Sequence, residues 1–250
     1  EAAHDIRRLR RLAALESERG APLRDVRLYR LPADAPDRLR LKVAQVHGAL
    51  ALSDAVPALE NFGFRVIEEV PTALGAGADG TARQGTLHDF GLQLGEGDDA
   101  AAILDRGEAI EQAIADVLNG LAEDDAFNRL IVGTGLSALE SNWLRAIYRY
   151  LRQAGMSFMI GTAVDALRRA PLATRALVAL FAARHDPAFA GDRVAEAARQ
   201  TDALRRALAQ VAAINDDRLL RHYQAVIGAV LRTNAFAPAA REALAFKLDS

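Results

Sequence analysis

Residues 50–70, LALSDAVPALENFGFRVIEEV, press a helix, a glycine stop and a strand into one short run, and this confines the surrounding chain to a helix laid on a sheet. Ser53 reads as the N-cap. Asp54 sits in the first turn, where the helix dipole favours an anion, and Pro57 is expected where a missing N–H costs little. Val56, Leu59 and Phe62 share one helical face. Gly63 supplies the left-handed stop, after which Phe64, Val66 and Val70 alternate with Arg65 and Glu69 in the period of a half-buried strand.

The same periodicities divide the chain near residue 135. Ile6, Leu9, Leu12 and Leu15 recur among Arg7, Arg8, Arg10 and Arg11, so residues 1–21 read as an amphipathic lead-in helix. Its arginines form a solvated face that packs on a neighbouring domain, with an anion-binding patch as the alternative. Residues 26–31 and 39–46 are strand candidates separated by a loop holding Pro32 and Pro36. Residues 75–85 have the glycine-rich composition of a long hairpin connection, and residues 86–94 return as a strand. Residues 100–121 predict one long helix that buries Ile103, Ile110, Ile114, Val117, Leu118 and Leu121.

The order from Leu39 onward is thus β-α-β-β-α. Closed by residues 130–132 or by residues 26–31, it makes an α+β sandwich of βαββαβ type, ferredoxin-like or ACT-like, over residues 22–132. From residue 136 the strand candidates vanish. Helices are expected over residues 138–153, 161–169, 171–184, 193–213 and 216–233, with Pro171, Asp186-Pro187 and Asn215-Asp216 as boundary signals. Residues 136–250 therefore read as an all-α helical region.

Hydrophobic residues make up 51% of the chain, enough for a real core, while 31 basic against 33 acidic residues leave a net charge of -2. No global field draws such a chain to nucleic acid or to an anionic membrane. The absence of cysteine excludes disulfides, thiolate metal sites and cysteine nucleophiles, and is compatible with a cytoplasmic location. No apolar stretch is long enough to span a membrane or to act as a signal peptide. A start at Glu1, without methionine, reads as an internal stretch of a longer polypeptide.

Motifs for chemistry are scarce. Gly133-Thr134-Gly135-Leu136-Ser137-Ala138 spells a dinucleotide fingerprint, but its apolar lead-in of Leu130, Ile131 and Val132 is short, and no acidic residue follows a second strand at the required distance. Gly75, Gly77 and Gly80 also spell it, yet precede a strand instead of a helix. His4, His47, His88, His185 and His222 have no metal-ligand spacing, and Ser137 lacks the second glycine of a nucleophile elbow. Alternation puts His88 and Asp89 on opposite faces of their strand, so they form no acid/base couple and His88 reads as a packed residue. Adjacent acids such as Asp216-Asp217 read as helix caps. Trp143, Leu144, Ile147, Tyr148 and Leu151 form a stripe that a bundle helix buries.

Five ordered passages carry a resemblance: residues 52–69; His88-Asp89-Phe90-Gly91-Leu92; Phe127-Asn128-Arg129-Leu130 with Gly135-Leu136; residues 145–153 (RAIYRYLRQ); and residues 231–236 (LRTNAF) with Phe246-Lys247-Leu248-Asp249. Together they resemble the large NAD-specific glutamate dehydrogenases of bacteria, over nearly the whole chain. The resemblance implies an internal ACT-like module and helical region lying before the catalytic domain. That domain would hold the glutamate and NAD sites, the catalytic lysine and aspartate, and the oxidative deamination itself. This chain has two lysines, Lys42 and Lys247, neither in the glycine-rich context of the family's catalytic lysine. No catalytic, cofactor-binding or metal residue is therefore assigned here, and NAD belongs to the parent. The implied partners are neighbouring domains of the same polypeptide and further copies of the parent, in the cytoplasm. By analogy with ACT modules, an amino-acid effector would lie in a groove near Asp54, Asn61 and Gly63. An independent dinucleotide-binding domain remains as an alternative, resting on Gly133, Gly135 and Ala138 alone.

Overall fold

The computed structural model describes residues 12, 23–46, 50–74, 85–238 and 243–249. The chain forms two compact units, residues 1–128 and 129–250. The expected lead-in helix, its arginine cluster and the glycine-rich 75–84 connection lie outside the described residues, apart from Leu12. That residue is helical and buried against Ala44 and Val46.

In the first unit, strands β1 (Arg24–Tyr29), β2 (Arg38–Gln45), β3 (Arg65–Leu74) and β4 (Gly85–Gln93) form one sheet in the order β1-β2-β4-β3, with every neighbour antiparallel. Helix α1 (Leu52–Asn61) carries the chain from β2 to β3 across β4, and α2 (Ala100–Asp105) and α3 (Gly107–Leu118) follow β4. The inward rows read straight across the register: Leu28, Leu41 and Phe90 in one, Val26, Val43 and His88 in the next. Against them α1 buries Ala55, Ala58 and Leu59, and α3 buries Ile110, Ala113 and Ile114. Each large aliphatic side chain so buried contributes about 1.5–3 kcal/mol.

The element order is ββαββα. The strand expected at residues 26–31, found as β1 over Arg24–Tyr29, is the closing one, whereas Leu130, Ile131 and Val132 are helical and belong to the second unit. This is the expected βαββαβ sandwich, circularly permuted so that its last strand comes first. The seam where the permuted chain is cut is held by side chains. Asn119, which ends α3, accepts from the Arg24 N–H at 2.8 Å and donates to the Arg24 carbonyl at 2.9 Å. The Arg24 guanidinium donates in turn to the Leu118 carbonyl.

Strand β1 lies at the sheet edge, so its alternate N–H groups point away from β2. Those of Arg24, Val26 and Leu28 are taken by Asn119, by Asp25 at 3.0 Å and by Glu111 of α3 at 2.7 Å. The opposite edge, β3, carries Pro71, which has no donor, and a bulge between Val66 and Glu68.

Three local expectations need correction. Helix α1 starts two residues early: Ala51 is the N-cap, Ser53 instead meets Asp54 at 3.3 Å, and Pro57 lies in the second turn. The proline is tolerated because its side of the helix faces solvent: Pro57 and Ser53, whose carbonyl loses its helical donor, are both exposed. At the other end Gly63 does stop the helix, at φ 97°, with Gly63 N–H to Glu60 and Phe64 N–H to Leu59 forming a Schellman closure. The long helix over residues 100–121 is broken at Arg106 before Gly107, a poor helix former, and ends at Leu118, leaving Leu121 64% exposed.

In the second unit a short helix α4 (Arg129–Gly133) precedes α5 (Ala138–Gln153), α6 (Ile160–Arg169), α7 (Pro171–His185), α8 (Arg193–Leu208) and α9 (Ile214–Ala229). Ser137 and Glu140 form a complete capping box at the start of α5, and Asp192 caps α8. The Trp143 stripe is buried as its spacing requires. Helix α7 buries apolar residues around most of its circumference, from Ala173 to Ala183, and is the central element. The helical region also contains a small sheet, β5 (Val230–Thr233) and β6 (Phe246–Leu248), in a segment expected to prolong the last helix. The Asn234 side chain bonds the Ala243 carbonyl and the Ala245 N–H, closing this hairpin. Phe236 and Phe246 then pack it on Trp143 and Phe181, with ring centroids 5.1–6.2 Å apart.

Candidate functional site

The three residues of the expected effector groove sit at the two ends of α1. Asp54 is exposed in its first turn, whereas Asn61 is its last residue and donates to Asp124 at 2.9 Å, with Gly63 in the turn beyond. Seven residues of helix put about 10 Å between Asp54 and Asn61. The structure brings Asn61 and Gly63 together and leaves Asp54 apart.

A polar constellation that the sequence reading missed lies on the inward face of the sheet. The bulge at Ile67 shifts β3 by one residue, so Glu69 faces Phe90 on the core side and Val70 turns outward, the reverse of the expected alternation. Glu69 thereby meets His88 Nδ1 at 2.7 Å, while His88 stacks on Phe90 and is only 7% exposed. Among the described residues neither His88 Nε2 nor the hydroxyl of Thr86, two positions away on the same face, has a hydrogen-bond partner. The histidine and Asp89 do point to opposite faces. Asp89 accepts from the Tyr29 hydroxyl at 2.5 Å on the outer side, where Lys42 and Arg27 flank the Tyr29 ring. No pattern in the sequence announces the Glu69–His88 contact, because a bulge leaves no signature in apolar spacing.

The dinucleotide fingerprint fails on geometry. Its lead-in is helix α4 in place of a strand, and Glu140 bonds the Ser137 N–H and hydroxyl at the start of α5, putting a carboxylate where a phosphate would sit. Arg168 lies across Gly133, and Arg175 donates to the Thr134 carbonyl at 2.9 Å. These glycines serve a tight helix-to-helix joint. No group of three or more His, Asp or Glu side chains that could hold a metal occurs among the described residues.

A cleft of about 410 Å³ opens in the second unit between the α6–α7 corner and the link from α8 to α9. Its walls are apolar, with Pro171, Leu172, Ala207 and Val211 prominent, and its charged groups are Arg169 and Asp216. Arg169 binds Asp216 side-on, Nε at 2.8 Å and Nη2 at 2.9 Å. Asp216 hydrogen bonding outweighs partial burial and drives the guanidinium further above its usual pKa. Elsewhere in the unit, burial pushes the Tyr223 phenol well up, and burial followed by Arg184 and Arg193 holds the His185 imidazole below its ordinary value.

Comparison with known proteins gives this architecture its context. Residues 24–104 match the family described as "Glutamate dehydrogenase, ACT3 domain", and residues 122–187 match "Glutamate dehydrogenase, helical motif 3". The chain is 36% identical over 213 residues to the NAD-specific glutamate dehydrogenase of Pseudomonas aeruginosa, covering 84% of this chain and 13% of that protein. It is 37% identical over 240 residues to the enzyme of the same name from Halomonas elongata, covering 94% of this chain and 14% of the relative. The chain belongs to the large NAD-specific glutamate dehydrogenase family. A third relative of that name, from Mycobacterium tuberculosis, is 33% identical over 147 residues, 56% of this chain and 9% of its own length. The chain thus spans about one seventh or less of the glutamate dehydrogenases it matches. The ACT3 match ends within α2, and the helical motif begins just before the division between the two units. No helix among the described residues is long and apolar enough to cross a membrane.

Proposed function

We propose that this chain is a non-catalytic part of a cytoplasmic NAD-specific glutamate dehydrogenase, serving the assembly and regulation of the parent enzyme. The parent reaction is the conversion of L-glutamate, NAD and water to 2-oxoglutarate, ammonium and NADH. The carrying observation is that the matches fall on an ACT3 domain and a helical motif, here a sandwich joined to a bundle. The fate of the two lysines supports the same reading: Lys42 stands beside Tyr29 on the outward sheet face and Lys247 in β6, neither in a glycine-rich turn. The sheet faces and helices would dock on neighbouring domains and on further copies of the parent. Mixing the chain with glutamate and NAD tests the catalytic half of the reading, and glutamate-dependent NADH absorbance would sink it. Deleting the corresponding stretch from the parent tests the other half: the deletion form should lose its oligomeric state or its regulation, and an unchanged enzyme in both respects would refute the role.

Sensing of an amino acid is the second reading. What favours it is the buried His88 Nε2, a ring nitrogen without a hydrogen-bond partner among the described residues. On this reading the effector approaches the Asn61–Gly63 end of α1 or the His88 face, while Asp54 acts from the far end of the helix. Calorimetry with a panel of amino acids is the check, and absence of heat with all of them removes it.

A further inference from the structure

The cleft of the second unit pairs an apolar wall with a half-spent guanidinium. The two partners in the Arg169–Asp216 pair are unequally exposed: the aspartate side chain is 8% exposed and the arginine side chain 58%. Asp216 therefore sits behind the guanidinium and occupies its Nε–Nη2 edge. An arginine has a second fork, the Nη1–Nη2 edge, with two parallel N–H groups. Asp216 holds the plane of that fork fixed, so little rotamer freedom remains to be lost when the second edge is engaged. The same cleft is lined by Pro171 and Leu172, which begin α7, and by Val211 and Ala213 in the link into α9. Leu172 is itself 56% exposed, so its side chain is open to a molecule entering the cleft. The volume, about 410 Å³, lies in the range of small-molecule sites, and a few convergent polar groups in an apolar wall are the composition such sites have.

We propose that this cleft is a binding site for a small aliphatic carboxylate, its carboxyl group held by the Nη1–Nη2 edge of Arg169 and its hydrocarbon body laid against Leu172 and Val211. Asp216 is a positioning residue. It does not touch the ligand; it aims the guanidinium. The ligand class follows from the two halves of the site: the Nη1–Nη2 fork, without a hydrogen-bonded acceptor among the described residues, selects a planar anion, and the wall offers nothing polar beyond Gln210 to a longer hydrophilic body. The site is independent of the assembly reading above, because the chain either binds such an acid by itself or does not.

The test uses the 250-residue chain and three six-carbon probes, hexanoate, hexanol and hexylammonium, followed by heteronuclear NMR titration. Hexanoate should give saturable shifts at Leu172, Val211 and Arg169, at least about tenfold tighter than hexanol, which is the effect of one charge-assisted contact. Hexylammonium should not saturate. Leu172→Ser leaves the ion pair intact and should weaken hexanoate by a similar factor while the spectrum elsewhere stays unchanged. Arg169→Lys keeps the charge and removes the fork, and should also weaken hexanoate. Equal binding of hexanoate and hexanol, shifts centred outside the cleft, or indifference to Leu172→Ser each overturns the proposal. A carboxylate can also come from a protein terminus. Acetyl-Gly-Gly-Leu with a free carboxylate distinguishes that source, and its binding more tightly than hexanoate overturns the small-molecule assignment.

Discussion

Replacing Asn119 by alanine leaves the bond of the Arg24 guanidinium to Leu118 and removes the other two of the three hydrogen bonds that hold the permuted seam, the 2.8 Å bond from the Arg24 N–H and the 2.9 Å bond to the Arg24 carbonyl. Each is a neutral, partly buried bond worth about 1 kcal/mol net, and the exposed rim lets water re-solvate the freed groups. The expected loss is about 2 kcal/mol, a roughly 30-fold change in the equilibrium that opens β1. Hydrogen exchange read by mass spectrometry localises the effect. Amides of β1 should exchange about 30-fold faster, whereas those of β4 and of helix α7 should keep their rates. Asn119→Asp retains the bond from the Arg24 N–H and loses the other, so it should show about half the free-energy change. Acceleration spread evenly over the sheet, or none in β1, would refute the reasoning that this side chain stands in for the missing covalent link.

A Cβ at Gly91 would lie 2.5 Å from Glu68 Cγ, so Gly91→Ala must swing the half-exposed Glu68 side chain away from Arg40 and should lower the unfolding free energy read in urea by about 1 kcal/mol. Adding Glu68→Ala should recover most of that loss, and additive effects in the double variant would count against the clash. The His185 imidazole has a folded pKa below its unfolded value, chiefly through burial. The unfolded chain therefore binds more protons below about pH 6.5, and the stability this group contributes is lost as pH falls from there toward its folded value. His185→Phe should flatten that part of the Tm-against-pH curve, and an unchanged curve would assign the acid sensitivity elsewhere. Arg169→Ala strands a nearly buried carboxylate, whereas Asp216→Ala frees a guanidinium that is already 58% exposed. The first should be more destabilising by about 1–2 kcal/mol in chemical denaturation, and the reverse order would contradict the one-sided burial of the pair.

Much of the fold is legible where apolar spacing decides it. The strand at residues 86–94, the Trp143 helix and the Pro171 start are set by period-2 or period-3.6 patterns and by a residue with fixed φ, and the structure follows them to within a residue or two. The elements that escape the pattern are made by single side chains or single extra residues. Asn234 converts an expected helical tail into a hairpin with its own amide, and the extra residue at Ile67 exchanges the faces of Glu69 and Val70. Helix α1 has Ala51 as an N-cap with no side-chain hydrogen bond, so a serine two residues on is the more visible but wrong signal. The Arg169–Asp216 pair joins residues on different helices, and only the packing of α6 against α9 brings them within hydrogen-bonding distance.

The blocked sheet edges bear on how such a chain is made. In a polypeptide as long as those of the relatives, a ribosome would deliver the first unit while the remainder is still unfolded, and stray extended segments would then compete for any open strand. With the β1 donors already occupied by Asn119, Asp25 and Glu111, and β3 broken by its bulge and Pro71, the finished sandwich offers such segments little to zip onto. The unit can act as an inert bead during synthesis, its strand edges closed to extended segments that emerge after it.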